Sequence, residues 1–266
     1  MTQGTFGEVK AFSHFTGAHA AIVPAATGEH IDGGWAIVGV NEGTYGYTVD
    51  EPGGILDITT DTADNDNHAL VAGVFRPADG GMQMEARFKI PDSVATTRAA
   101  VFVGFSETLA LDTPVMPAER ATATTTYNGT GGMLGVLFDS DSTLLEWFAV
   151  AGDGGAAVAT KDKNGVVGNA NGIQLTGSAG LLHGSSATAD RWYLVRVEVG
   201  TDGIGRVYFG DIDGNSKMQL VAENTTPLGT SDNFHAVLMV ENRSGANERL
   251  EVDYAYARGW VDWATD

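Results

Sequence analysis

The chain has 266 residues, no cysteine, and a formal net charge of −19 from 34 acidic and 15 basic side chains. The lack of cysteine excludes disulfides and thiolate metal sites. The surplus of carboxylates argues against partners with anionic surfaces, namely nucleic acid and membranes. The length fits one large β domain better than two small ones, and a hydrophobic share of 43% is enough for a sizeable core.

The first 33 residues differ from the rest of the chain. Phe6, Phe12 and Phe15 stand among Gly, Ala and His with weak periodicity. We therefore predict an N-terminal arm over residues 1–33, followed by a single β-sandwich domain over residues 34–266. The arm can pack on its own domain or dock on a neighbouring subunit, and aromatic anchors suit the second role.

Alternation of apolar and polar residues dominates the remaining sequence, and residues 81–90 show it most clearly. One face of this segment carries Met82, Met84, Ala86, Phe88 and Ile90, and the other carries Gln83, Glu85, Arg87 and Lys89. A period of two is typical of half-buried strands, because successive side chains point to opposite faces of a sheet. The pattern predicts an all-β fold with two antiparallel sheets packed as a sandwich.

Thirteen strands are predicted, over residues 35–40, 54–59, 69–75, 82–90, 99–106, 133–139, 144–151, 172–177, 191–200, 205–210, 218–224, 236–242 and 249–259. In the last of them, the predicted apolar face consists of Leu250, Val252, Tyr254 and Tyr256. Asn-Gly pairs at 128–129, 164–165 and 171–172 predict tight turns, because both residues tolerate positive φ. The loops over residues 107–126 and 152–186 are long, and long loops on a rigid sandwich often carry binding sites.

Several segments carry a likeness to known proteins: residues 54–61 (GILDITTD), 84–90 (MEARFKI), 191–203 with 205–209, and 249–260 (RLEVDYAYARGW). With thirteen strands in this order, the chain resembles the concanavalin-like jelly roll of lectins and laminarinases over about residues 35–262. In combination with residues 101–107 (VFVGFSE) and 136–141 (VLFDSD), it also resembles structural proteins of tailed bacteriophages. The resemblance implies a non-enzymatic virion component, foremost a capsid decoration protein.

The phage resemblance implies the shell of the major capsid protein and further copies of this chain as partners. Phe6, Phe12, Phe15, Trp260 and Trp263 are the predicted interface residues. The sequence opens without a basic stretch followed by an apolar run, so we expect no signal peptide, synthesis in the host cytoplasm and a place in the virion. A lectin-like carbohydrate-binding module with weak glycan binding, or a tail or fibre protein, is the alternative.

A glycoside hydrolase is the least favoured interpretation. Laminarinases resembling this chain carry Glu-x-Asp-x-x-Glu on one strand, and the closest match here is Glu251-Val252-Asp253. Position 256 is tyrosine, so the second catalytic carboxylate that a retaining glycosidase needs is missing. We therefore predict no catalytic residues, with Glu251 and Asp253 as solvated side chains on an outer face.

Two acidic clusters offer hard oxygen ligands of the kind that calcium prefers. One comprises Asp61, Asp64, Asn65, Asp66 and Asn67, and the other comprises Asp139 and Asp141. Polar loops after strands are the favoured interpretation of both clusters, and the six histidines show no metal-site spacing. We therefore predict no metal and no cofactor.

The five tryptophans divide into two groups. Trp35, Trp147 and Trp192 lie in strand-like contexts and are predicted to be core residues. Trp260 and Trp263 lie at the C-terminal end, where they can be exposed and anchor a subunit contact.

Overall fold

The computed structural model describes residues 8–15, 29–31, 33–39, 43–48, 54–91, 98–107, 109, 114–168, 170–177, 180–182, 187, 190–214 and 216–260. These residues form two large sheets, one two-stranded hairpin and a single 3-10 turn at Pro77–Asp79, and all the strand pairs are antiparallel. No helix in the described part of the chain is both long and apolar enough to cross a membrane.

Sheet A contains both the first and the last strand. Its spatial order is β14 (Thr160–Asp162), β18 (Gln219–Asn224), β17 (Gly205–Asp211), β16 (Tyr193–Val199), β7 (Met82–Lys89), β20 (Arg249–Trp260), β5 (Ile55–Thr59) and β4 (Thr44–Thr48), with β1 (Glu8–Ser13) paired to the C-terminal half of β20.

Sheet B faces sheet A across the core. Its spatial order is β13 (Ala156–Ala157), β12 (Phe148–Asp153), β11 (Met133–Asp139), β8 (Ala99–Ser106), β19 (Phe234–Asn242), β6 (Asn67–Phe75), β3 (Trp35–Gly39) and β2 (Glu29–His30), with β15 (Ile173–Gln174) beside β12. A separate hairpin joins β9 (Ala118–Ala121) to β10 (Thr124–Tyr127). Each of the thirteen predicted strands overlaps one of these strands, and the predicted two-sheet antiparallel sandwich is confirmed.

The main core lies between the sheets and has an aromatic centre. Trp147 is fully buried, with ring centroids 5.2–5.9 Å from those of Phe88, Phe138, Tyr193 and Phe209. Sheet B is apolar on its other face as well, where a second cluster forms. That cluster includes Phe102, Leu137, Val237, Met239, Leu109 and Met116.

The predicted apolar face of β20 is interrupted. Leu250 and Val252 are buried, but the register shifts between Val252 and Tyr254, as in a β-bulge. A bulge inserts one residue and reverses the alternation that follows it. Ala255 is therefore buried, and Tyr254 is turned to the outer side of sheet A. The prediction that Tyr254 and Tyr256 continue the core face is wrong for this reason.

Part of the N-terminal segment belongs to the sandwich. Strand β1 pairs with β20 along its whole length, and Phe15, just after β1, is fully buried in the main core. Phe12 points to the outer side and is 48% exposed. Packing on its own domain is thus what the described residues of this segment show, and Phe15 has no free surface for contact with another subunit.

Candidate functional site

The outer face of sheet A carries polar and aromatic side chains that the strand register aligns in rows. The first row crosses the sheet in the order Lys10, Arg258, Gln83, Glu198, Arg206, Glu223 and Lys161. The second row, two residues further along each strand, contains Phe12, Tyr256, Glu85, Arg196 and Tyr208. These residues come from distant parts of the sequence and form one continuous surface.

A cleft of about 360 Å³ opens where the first row meets the 3-10 turn. Its polar wall consists of Gln83, Glu198, Arg206 and Arg258, and its aromatic wall is Trp260. The backbone of Gly80, Gly81 and Gly200 completes the lining. We refer to this surface as the Trp260 cleft.

The turn before β7 fixes the aromatic wall. The N–H groups of Gly80 and Gly81 donate to the carbonyl oxygen of Pro77 at 3.2 and 2.8 Å, which closes the turn. Gly80 has a φ of 147° and Gly81 a φ of 81°, conformations that residues with a Cβ rarely adopt. Because Gly80 has no side chain, the indole ring of Trp260 packs directly on its backbone.

The charged groups of the Trp260 cleft differ in how far they are already paired. Arg206 Nε lies 2.7 Å from Glu223 Oε2, and Lys161 Nζ lies 2.6 Å from Glu223 Oε1. The hydrogen bond from Lys161 and the charge of Arg206 lower the pKa of Glu223. Arg206 is therefore engaged by a carboxylate that already has a second cation.

Glu198 and Arg258 are the other two charged residues of the Trp260 cleft. Glu198 accepts a hydrogen bond from Tyr208, and burial together with the Glu198 charge raises the pKa of that tyrosine. In contrast, the exposed guanidinium of Arg258 has no hydrogen bond or ion pair with any described residue. The same holds for the side-chain amide of the half-buried Gln83, which is the cross-strand neighbour of Arg258. The cleft thus offers a cation and an amide, both unpaired within the described part of the chain, beside an indole ring.

Hydrogen bonds and a ring contact join the side chains on the outer face beside the cleft. Glu85 accepts hydrogen bonds from Tyr254 Oη at 2.6 Å and from Arg196 Nε at 2.7 Å. Burial and the bond to Glu85 raise the pKa of Tyr254. Phe12 stacks edge-on against Tyr256, with ring centroids 6.3 Å apart. This surface is an ordered platform next to the Trp260 cleft.

The candidate hydrolase carboxylates occupy paired positions. Glu251 Oε2 lies 3.1 Å from Lys89 Nζ, and Asp253 Oδ2 accepts a hydrogen bond from Arg87 Nη1 at 2.8 Å. The prediction of solvated side chains is wrong for Glu251, which is buried, and both carboxylates are members of ion pairs on sheet A. The same two cations lie over the ring of Trp192, at 4.5 Å for Arg87 Cζ and 5.0 Å for Lys89 Nζ.

The predicted placement of the tryptophans is correct for two of the three core candidates. Trp35 and Trp147 are fully buried. Trp192 is half-buried beneath the cations of sheet A. The prediction of a core position is wrong because Trp192 precedes the inward-facing Tyr193 and therefore lies on the outer side, as Leu194 does.

A second group of charges is buried at the outer side of sheet B. Arg243 Nη2 lies 2.9 Å from Asp139 Oδ2, and Arg243 Nη1 lies 2.7 Å from Glu241 Oε1 and 3.5 Å from Glu119 Oε2. Burial raises the pKa of Glu241 to about 7, against the opposing charge of Arg243. Burial likewise raises the pKa of Asp139.

The guanidinium of Arg243 stands between these carboxylates, in the position that a bound cation would need. Three of the residues considered for calcium, Asp139, Asn65 and Asn67, contact this network. Arg243 Nη1 donates to Asn65 Oδ1 at 3.5 Å, and Asn67 Nδ2 donates to Glu241 Oε2 at 3.3 Å. Within the described ranges, no group of three or more His, Asp or Glu side chains is arranged to hold a metal ion. The network is a structural element of the fold.

The predicted interface residues are dispersed. Phe12 and Trp260 both lie on the outer face of sheet A, Phe15 is in the core, and Phe6 and Trp263 lie outside the described residues. The polar wall of the cleft was not predicted. Each of its members occupies a polar position of an alternating strand, which is the only signal of it in the sequence.

Comparisons with known proteins address the fold. No family model and no curated protein matches the chain. Among solved structures, a protein of unknown function from Shewanella oneidensis MR-1 has a TM-score of 0.56 at 11% identity, covering 97% of this chain and 88% of that chain. Peanut lectin with a bound peptide has a TM-score of 0.55 at 10% identity, covering 96% and 99%. Lotus tetragonolobus seed lectin has a TM-score of 0.52 at 9% identity, covering 96% and 100%.

Such low identities show the fold alone. They lend no support to a virion role, so the capsid shell as partner, the virion location and the subunit contacts stay predictions. The architecture itself is shown: the chain has the concanavalin-like jelly roll that these lectins share.

Proposed function

We propose that this chain is a non-enzymatic, lectin-like carbohydrate-binding module that binds a sugar in the Trp260 cleft. The observation that carries the proposal is the guanidinium of Arg258, unpaired among the described residues, beside the indole of Trp260 and the amide of Gln83. The fold shared with two proteins named as lectins supports it.

The chemistry of the cleft matches a sugar ring. A pyranose has an apolar face of C–H groups, which packs against an aromatic ring, and a rim of hydroxyls, which need donors and acceptors. Trp260 supplies the ring, Arg258 supplies donors only, Gln83 supplies both, and Glu198 supplies acceptors. The volume of about 360 Å³ lies at the lower end of the usual range for ligand sites and suits one or two sugar units.

The carboxylate content of the cleft supports binding without hydrolysis. Glycosidases of the common mechanisms use a pair of carboxyl groups that flank the scissile bond. Glu198 is the only carboxylate among the described residues that line the cleft. Glu251 and Asp253 are held in ion pairs elsewhere on sheet A.

A glycan array followed by calorimetry on the best ligand tests the proposal. Arg258→Ala and Gln83→Ala should each weaken binding, by about tenfold for the charged group, with unchanged thermal stability. Arg98→Ala is the matched control. Arg98 is also an exposed arginine whose side chain is unpaired among the described residues. Its backbone N–H donates to Glu248, which precedes β20, so Arg98 lies near the opposite end of β20 from Trp260 and the cleft. An array without hits, or equal binding by all three variants, would refute the proposal.

A further inference from the structure

We infer that the sugar bound in the Trp260 cleft carries a single carboxylate, as uronic and sialic acids do, and that Arg258 binds this group. The inference rests on the proposed function and names the class of ligand for that site. It is based on a difference between the two arginines in the cleft wall: Arg206 is in an ion pair, and Arg258 has no partner among the described residues.

Arg206 and Arg258 lie in the same row, but only one of them is available. Arg206 is held at 2.7 Å by Glu223, whereas Arg258 is exposed and has no partner among the described residues. A guanidinium forms two parallel hydrogen bonds to a carboxylate, a geometry that a neutral hydroxyl does not reproduce. The available cation therefore selects for a carboxylate in the ligand.

Gln83 strengthens this selection. It lies opposite Arg258 on the neighbouring strand, where side chains of paired residues are about 4.5–5.5 Å apart at Cβ. Its amide N–H₂ can donate to the same carboxylate that Arg258 binds. Trp260, two residues along β20 from Arg258, then faces the ring that bears the carboxylate. The three groups define one anionic position beside one stacking position.

The charge of the whole protein limits the ligand to low charge density. The net charge of −19 repels polyanions at long range, so heavily sulfated chains are disfavoured. A short-range contact with the Arg258 guanidinium outweighs this long-range repulsion only for a ligand with an isolated negative charge. Glu198, the one carboxylate that the described residues bring to the cleft lining, accepts a hydrogen bond from Tyr208 and lies on the far side of Gln83 from Arg258.

The test compares acidic sugars with their neutral counterparts on the full chain. The probes are the methyl glycosides of glucuronate and glucose, the methyl glycosides of galacturonate and galactose, and the methyl glycoside of N-acetylneuraminate, measured by saturation-transfer NMR and calorimetry. We expect at least one acidic probe to bind about tenfold tighter than the neutral sugars, with an advantage that falls as salt is raised. Arg258→Gln should remove the advantage by weakening the acidic probes more than the neutral sugars, while Arg98→Gln should keep it.

The outcomes separate this inference from the proposed function. If neutral sugars bind as tightly as acidic ones, in a manner that depends on Gln83, the inference fails and the proposed function stands. If none of the acidic probes binds but the array gives hits for neutral sugars, the inference likewise fails and the proposed function stands. If no saccharide binds at all, both fail. Preserved discrimination in Arg258→Gln with an unchanged melting temperature would also overturn the assignment to Arg258.

Discussion

Gly80 and the indole ring of Trp260 are packed so closely that no side chain fits between them. A Cβ built on Gly80 would overlap Cγ and Cδ1 of the ring, and the φ of 147° is itself unsuited to residues with a Cβ. The turn before β7 therefore sets the position of the aromatic wall of the Trp260 cleft.

Gly80→Ala should destabilise the protein and displace Trp260. The backbone conformation costs about 1–3 kcal/mol for a residue with a Cβ, and the overlap with the ring adds to it. Denaturant unfolding measures the loss, and tryptophan fluorescence reports the displacement. Gly154→Ala is the matched control, since Gly154 has a φ of 61° and no atom within 4 Å of a built Cβ. Equal losses and an unchanged emission spectrum in both variants would contradict the proposed packing.

Phe15→Ala should cost about 3–5 kcal/mol of unfolding free energy, because it empties a fully buried aromatic site. Phe12→Ala, three residues earlier, should cost less than about 1.5 kcal/mol, because Phe12 is half exposed and loses only ring contacts with His14 and Tyr256. Denaturant titrations of the two variants at low protein concentration measure the difference. If Phe15→Ala left the stability of the monomer unchanged, the N-terminal segment would not pack on its own domain as described.

Arg243→Met should cost about 3–5 kcal/mol of unfolding free energy, because it leaves Asp139 and Glu241 buried without their cation. The side chain of Arg243 is 5% exposed. Arg249→Met provides the comparison, since Arg249 pairs with Asp57 but is 37% exposed, and its loss should cost no more than about 1 kcal/mol. Chemical denaturation of both variants at one pH and salt concentration gives the comparison. Similar losses would mean that burial does not increase the contribution of the Arg243 ion pairs to the free energy of unfolding.

Protonation of Glu241 should make the protein more stable in mild acid. In the folded protein the pKa of Glu241 is raised to about 7 by burial beside Asp139 and Glu119, although Arg243 and Asn67 face it as well. In the unfolded chain the carboxyl releases its proton near the ordinary value of 4.5. Between these two values the folded state binds more protons, so the free energy of unfolding contributed by Glu241 falls as pH rises from about 4.5 to about 7 and then levels off.

The variant Glu241→Gln isolates this effect. Glutamine does not titrate, so the difference in unfolding free energy between the natural chain and the variant should change across that window and be flat above it. Subtracting the two unfolding free energies removes the contribution of His235, which titrates in both chains. Burial lowers the pKa of His235, so its contribution to the pH dependence has the opposite sign. A difference that is constant from pH 4.5 to 7.5 would show that Glu241 is ionised throughout in the folded protein.

The alternation of residues 81–90 was sufficient to orient β7. Met82, Met84 and Phe88 are buried and Gln83 is on the outer face, as the period of two requires. Most of the strands and the sandwich class follow from the same local rule, because the direction of a side chain in a strand depends only on its position along that strand. The missed strands include β1, which lies within the predicted N-terminal arm, and β4, although β4 alternates regularly, with Tyr45 and Tyr47 buried.

The sequence by itself thus determined the two-sheet fold and which residues of each regular strand face outward. Tertiary structure decided the rest. The bulge between Val252 and Tyr254 reversed the faces of β20 without any local signal, and strand pairing set Arg258 beside Gln83 and Gln83 beside Glu198. The physical reason is that register is fixed by the packing of whole sheets, so contacts between residues 115 or more positions apart cannot be obtained from local periodicity.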